Sequence, residues 1–156
     1  MLRISIIAVG KNKDRWVDEG CTHFEKLLSR YAGVTWKIVV PVKETSSLTA
    51  NEIKKKEGRL IEKALGKGVH IALTDGGRTA DSRAFAKMIE KLQVTGGGGI
   101  TFIIGGPHGL DEAVLKQSDH VLSLSPLTFS HQLVRLVLLE QLYRAFSILH
   151  GTDYHK

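Results

Sequence analysis

The chain has 156 residues, 42% hydrophobic and 24% charged, enough for one domain with a full core. Its formal net charge of +6 favours acidic partners such as RNA, although a basic surface is also what a merely solvated exterior looks like. The single cysteine, Cys21, excludes an intrachain disulfide and any zinc or iron–sulfur site built from thiolates, and no run approaches the roughly 20 apolar residues of a membrane span.

Residues 2–9 read as a buried strand, too short and strand-like for a secretion signal, so a cytoplasmic protein is expected. Residues 14–31 read as a helix, with Trp16, Val17, Gly20, Cys21, Phe24, Leu27, Leu28 and Tyr31 recurring at three-and-four spacing. Lys11, Lys13, Asp14 and Arg15 stand at its exposed entrance, and residues 34–40 form a second strand. After a loop at 41–48, Thr49-Ala50-Asn51-Glu52 matches a capping box, in which hydroxyl and carboxylate satisfy free amides at a helix start. That helix runs to about Leu65 and stops at Gly66; its Lys54-Lys55-Lys56 run is either a solvated face or an RNA contact. A third strand at 69–74 ends in Asp75-Gly76-Gly77, and a helix at 82–93 presents Phe85, Met88, Ile89 and Leu92 on one face. The glycines at 96–99 have no side chains to hold a shape and read as a mobile surface turn.

The last third carries the most information. The apolar strand at 100–104 enters Gly105-Gly106-Pro107-His108-Gly109, and a short helix at 110–117 follows, with Asp111 and Glu112 where carboxylates suit the helix dipole. A strand at 120–124 enters Ser125-Pro126-Leu127-Thr128-Phe129, and a long helix at 130–149 leads to Tyr154-His155-Lys156. Strand–helix repeated five times with short connections predicts an α/β fold: one mostly parallel sheet with helices on both faces, in a single domain over 1–156. Two loops at strand ends would then make a cleft floored by backbone. Gly105 and Gly106 would let a flat group approach the main chain, and Pro126 would stiffen the second loop; equally, the glycines would serve tight turns alone.

On a helical wheel, His131, Gln132 and Arg135 share one arc of about 100°, while Glu140, Arg144 and Ser147 lie opposite. Apolar residues fill the rest, so most of this helix needs covering. One side goes to the sheet; the other goes to a second copy of the chain, with a two-fold dimer the commonest solution, or to neighbouring helices.

Several chemistries are disfavoured. The glycines at 105–109 lack dinucleotide-binding spacing, and no acidic residue follows at the end of the next strand. There is no P-loop, no paired-histidine zinc motif among the seven histidines, and no nucleophile elbow.

Four runs carry a resemblance: the N-terminal Ile4-Ser5-Ile6-Ile7-Ala8-Val9-Gly10-Lys11, Phe-Ile-Ile-Gly-Gly-Pro-x-Gly-Leu at 102–110, Ser-Leu-Ser-x-Leu-Thr-Phe-x-His-Gln-Leu-x-Arg at 123–135, and Glu-Gln-Leu-Tyr-Arg-Ala-Phe at 140–146, with the terminal Tyr-His-Lys. Over its whole length the chain resembles the RlmH family, the ribosomal large subunit pseudouridine N3-methyltransferases of the SPOUT superfamily. The resemblance implies a C-terminal trefoil knot, a rare exception to unthreaded connections. It also implies S-adenosylmethionine bound by Leu73, Gly105, Leu124, Ser125, Pro126, Leu127, Thr128 and Phe129, and no metal. Catalysis would fall to His155 or Tyr154, which would orient or deprotonate the base, and to Arg144, held by Glu140. The implied partners are a second copy, as a homodimer, and helix 69 of 23S rRNA in the assembled 70S ribosome. A non-catalytic ribosome- or RNA-binding factor on the same scaffold, and a flavodoxin-like small-molecule binder, are the competing readings.

Overall fold

The computed structural model describes residues 1–156. Five parallel strands form one sheet in the order β2-β1-β4-β3-β5. They are β1 (Leu2–Val9), β2 (Ala32–Val39), β3 (Val69–Thr79), β4 (Ile100–Ile104) and β5 (His120–Ser123). The helices are α1 (Arg15–Leu28), α2 (Ala50–Ala64), α3 (Ser82–Thr95), α4 (Glu112–Gln117) and α5 (Leu133–Leu149). The α/β architecture expected from the alternating pattern is therefore the one observed.

Period-two alternation sorts the strand side chains between two cores. Ile4, Ile6 and Ala8 of β1 join Ile100, Phe102 and Ile104 of β4 under α1, α3 and α5. Ile7, Val9, Ala72 and Ile103 point the other way, to a smaller core under α2 and α4. Strands buried on both faces read as continuous apolar runs, which is why 100–104 was legible as a strand.

The capping box forms as expected: the Thr49 N–H donates to Glu52 Oε2 at 2.7 Å, and the Glu52 N–H donates to Thr49 Oγ1 at 3.2 Å. Other expectations need correction. The β3 strand does not end at Thr74. It bulges at Asp75-Gly76-Gly77 and then pairs again with β5, Arg78 opposite Leu122. Gly77 permits this, because a Cβ there would stand 2.6 Å from the Leu122 carbonyl carbon. The glycine run at 96–99 is a packed crossing rather than a mobile turn: a Cβ on Gly98 would stand 2.6 Å from the Gly68 nitrogen, and the Val69 N–H donates to the Gly99 carbonyl at 3.0 Å. Trp16 keeps helical spacing with the α1 core residues but sits in the first turn, exposed. The α4 helix begins at Glu112 and α5 at Leu133, both after a turn that the apolar pattern had absorbed into the helix.

The polar positions of α5 also depart from a surface reading. Arg135 is 0% exposed, and Gln132 and Ser147 are buried. The Arg135 guanidinium donates to the Val9 carbonyl at 2.8 Å, the Gly10 carbonyl at 2.7 Å, Asn12 Oδ1 at 3.1 Å and the His131 carbonyl at 3.1 Å. No carboxylate is among its partners, and burial pushes its pKa down. Gln132 adds two bonds, accepting the Lys13 N–H at 2.9 Å and donating to the Lys11 carbonyl at 3.2 Å.

Replacing Arg135 by Ala orphans the buried Val9 carbonyl and three part-buried acceptors at once. Urea unfolding should show a loss of at least about 3 kcal/mol. Thr49→Ala, which removes only one helix cap, should cost about 1 kcal/mol in the same assay.

Candidate active site

Parallel α/β sheets present their ligand crevices at the carboxyl ends of the strands. Here the ends of β3, β4 and β5 surround a cleft of about 600 Å³, within the range of small-molecule sites. Leu73, Thr74 and Asp75 come from β3, residues 104–110 from the end of β4, and Leu124, Ser125, Leu127, Thr128 and Phe129 from the loop after β5. Lys54 of α2 and His131 and Val134 at the start of α5 complete the wall.

The loops are held by short local bonds. The Gly109 N–H donates to the Gly106 carbonyl at 3.0 Å, closing a turn in which Gly109 has φ +85°. A Cβ on Gly105 would stand 2.7 Å from the Gly109 carbonyl carbon, so only glycine fits there. The Ser125 hydroxyl accepts the Leu127 N–H at 3.0 Å, while the Ser125 carbonyl accepts the Ser123 hydroxyl at 2.7 Å. Thr128 donates to Asp75 Oδ2 at 2.7 Å and ties the β5 loop to the β3 bulge. Burial, then the charges of Arg135 and Lys13, push the His131 imidazole below its usual range.

These walls suit a flat, largely uncharged group flanked by aliphatic side chains. Leu73, Leu124 and Leu127 supply the aliphatic surface, and Gly105 and Gly106 leave the main chain uncovered. An S-adenosylmethionine base fits that chemistry: the cradle is one that a Cβ at 105 would fill. Seven of the eight expected cofactor residues line the cleft; Pro126 does not and faces solvent.

The expected catalytic residues form a second group. Gly151, at φ +65°, turns the chain back after α5, and the Thr152 N–H donates to the Ser147 carbonyl at 3.0 Å. This folds the tail onto its own helix. The Tyr154 hydroxyl donates to Glu140 Oε1 at 2.9 Å, its ring meets Tyr143 at 4.7 Å between centroids, and the Arg144 guanidinium lies 4.9 Å over it. Arg144 donates to Glu140 Oε1 through Nε at 3.1 Å and Nη2 at 2.5 Å, and through Nη1 to His155 Nδ1 at 3.3 Å. Burial, then Glu140, push the Tyr154 phenol above its ordinary range. The four residues are thus brought together, but none of them lines the cleft. Val134 at the cleft and Arg144 in the cluster are ten positions apart on α5, or about 15 Å of helix rise.

Sequence reasoning missed Glu57 and Asp75. Glu57 left a signal: it shares the inward stripe of α2 with Ile53 and Ile61, where a carboxylate is out of place.

The family described as "Predicted SPOUT methyltransferase" matches residues 2–155. Two curated relatives bear the name "Ribosomal RNA large subunit methyltransferase H". The Acetivibrio thermocellus protein is 40% identical over 162 residues, covering 99% of this chain and 100% of its own length. The Listeria monocytogenes serovar 1/2a protein is 43% identical over 159 residues, with the same coverage. Among solved structures, TrmJ from Z. mobilis ZM4 shares the fold with a TM-score of 0.55 at 10% identity, over 93% of this chain and 70% of that one. A probable methylase family protein from Haemophilus influenzae Rd KW20 gives a TM-score of 0.54 at 15% identity, over 95% and 66%. A cradle of bare main chain at the ends of parallel strands, in a chain matched from end to end, places this protein in the SPOUT methyltransferase family, among the relatives of ribosomal RNA large subunit methyltransferase H.

Proposed function

We propose that this chain is an S-adenosylmethionine-dependent methyltransferase acting on N3 of a pseudouridine in helix 69 of 23S rRNA, on the assembled 70S ribosome, as a cytoplasmic homodimer. The observation that carries the reading is the glycine-floored cleft in a chain that matches its relatives along their whole length. The C-terminal third is read as the family's trefoil knot. The sheet order supports this, since β4 lies between β1 and β3 while α5 returns from the β5 edge to pack against both α1 and α3.

Bound in the cleft, S-adenosylmethionine supplies a methyl group already activated by its sulfonium. The main chain at Gly105 and at 124–129 holds the cofactor's base, and Leu73, Leu124 and Leu127 flank it. What the protein must add is alignment and help for an imide nitrogen that is a poor nucleophile until its proton leaves. The tail cluster is rich in donors. The Tyr154 hydroxyl, its pKa raised by burial and Glu140, donates a hydrogen bond to Glu140. Arg144 donates to His155 Nδ1, which puts the N–H of the neutral imidazole on Nε2 as a donor. His155 therefore orients the base and steadies the anion as the proton passes to water, and Arg144 adds positive charge beside it.

The separation along α5 supports a reading with two copies. A single chain holds its tail cluster about three turns from its own cleft. Leu133, Val137, Gln141 and Ile148 form a half-buried strip on the outer side of α5, interrupted by Glu140 and Arg144. Two such helices, packed antiparallel about a two-fold axis, would bring each tail to the partner's cleft.

Calorimetry with S-adenosylmethionine separates this enzyme from a non-catalytic ribosome-binding factor, which would show no heat of binding. Deleting 154–156 should abolish methyl transfer to unmethylated ribosomes while cofactor affinity stays within about three-fold. His155→Gln, which keeps a donor, should retain more activity than His155→Ala; equal loss in both would sink the orienting role. Mixing the tail-deleted protein with Gly105→Val, which blocks the cleft, should restore part of the activity, because mixed dimers regain one complete site. Ribosome binding should weaken by at least about ten-fold between 50 and 200 mM salt, given several phosphate contacts.

A further inference from the structure

Glu57 is 3% exposed and stands directly behind the floor of the cleft. A Cβ on Gly106 would lie 3.1 Å from its Oε1 and 3.4 Å from its Oε2, while Gly106 itself lines the cleft. One thickness of glycine backbone thus separates a buried carboxyl from the ligand space. Oε2 accepts a single bond, the Val42 N–H at 3.3 Å, and Oε1 has no partner. The charged groups around it are Lys54, one turn earlier on α2 and at the cleft wall, Glu44 and His108, which pair with each other on facing loops, and Asp111, packed on Gly58. Burial pushes the Glu57 carboxyl above the usual range, while the Val42 N–H and His108 pull it back. The other carboxylate of the cleft, Asp75, is exposed and bonded to Thr128, so solvent screens it. A fully packed loop support would have been served at lower cost by an apolar residue, since a buried acceptor without a partner is destabilising.

A carboxylate so placed distinguishes ligands by charge. The methyl donor carries a sulfonium cation. When its methyl forms a bond to the target nitrogen, the S–CH3 bond breaks, its electron pair stays on sulfur, and the product is a neutral thioether. We propose that Glu57 is a positioning residue that makes the cleft charge-selective, holding the cationic donor in preference to the neutral product. The inference rests on the methyl-donor reading above. Behind a glycine floor that keeps water from the carboxylate, a cation held in the cleft would be attracted to it, and that attraction vanishes once the methyl group has left.

The test is calorimetric and needs no turnover. Wild type and Glu57→Gln are titrated with S-adenosylmethionine, S-adenosylhomocysteine and sinefungin, whose amine puts a cation near the position of the sulfonium. Gln preserves the shape and can still accept the Val42 N–H. The ratio of donor to product affinity should fall about five-fold in Glu57→Gln, sinefungin should follow the donor, and product affinity should stay within about two-fold. A residue that only braces the loop would weaken all three ligands equally, and that result, or an unchanged ratio, overturns the proposal. Glu57→Asp keeps the charge but withdraws it by one methylene. It should lower the ratio by less, and it provides the readout if the Gln variant fails to fold; an unchanged ratio there also overturns the proposal. If the wild type binds none of the three, the methyl-donor reading itself fails. If it binds them and the ratio does not move, only the role of Glu57 does.

Discussion

A buried cation without a counter-ion holds this structure together. The Arg135 guanidinium spends its donors on the carbonyls of Val9 and Gly10, on the Asn12 side chain and on the His131 carbonyl. Those carbonyls lie where β1 runs out of ladder partners, and a buried carbonyl left unpaired is costly. Arg135 closes that account from a distance of more than a hundred residues in sequence. Gln132 does the same for the main chain of Lys11 and Lys13. The result is that the start of α5 cannot move without the end of β1. The loop of 124–131, which forms one wall of the cleft, is thereby fixed at its far end, while the Ser123–Ser125 bond fixes its near end. A wall pinned at both ends is organised before any ligand arrives, which lowers the ordering cost of binding.

The same economy runs through the cleft. Its lining is largely main chain and aliphatic; of the charged groups near it, Lys54 stands at the wall, Asp75 is exposed to solvent and Glu57 is set behind the floor. A main-chain cradle selects by shape and hydrogen-bond pattern. The charge selection proposed for the cleft needs a group both near and shielded from water, and Glu57 is the carboxyl that meets both conditions.

The elements that were legible in the sequence were those whose burial follows a period. The strand at 100–104 and the second half of the strand at 2–9 are buried on both faces, and the capping box at Thr49 and Glu52 is a purely local device. What escaped was decided by partners far away in sequence. The helical wheel puts Arg135 and Ser147 on opposite arcs of α5, yet both are buried, because the partners of Arg135 are loop carbonyls and the turned-back Thr152 hydroxyl covers Ser147. Asp75-Gly76-Gly77 has the composition of a turn, but β5 pairs with the residues beyond it and draws β3 onward to Thr79. The glycine run at 96–99 has the composition of a loose loop, yet bare backbone is what lets it pass Lys67 and Gly68 at van der Waals distance. In the candidate site, strand-to-loop transitions pointed to the walls, whereas Pro126 turned outward, since nothing local distinguishes the two sides of that loop.

The position of the tail follows from α5 being one rigid rod. Its first turn is pinned to β1 through Arg135, and its last is capped by Gly151, which sends the chain back along the outer face. The Tyr154 ring is then trapped between Tyr143 and Arg144, so the tail is tied to the middle of the helix and cannot also reach over the cleft at its start. Freeing it would forfeit the Tyr154–Glu140 bond and the cation–π contact. In the proposed dimer an antiparallel second helix would require no such loss, because it would present its own assembled cluster where this chain presents its cleft. In the proposed dimer the half-buried strip around Val137 would supply the contact. Glu140 and Arg144, which interrupt that strip, would be there because the cluster must stand at the boundary between the two copies.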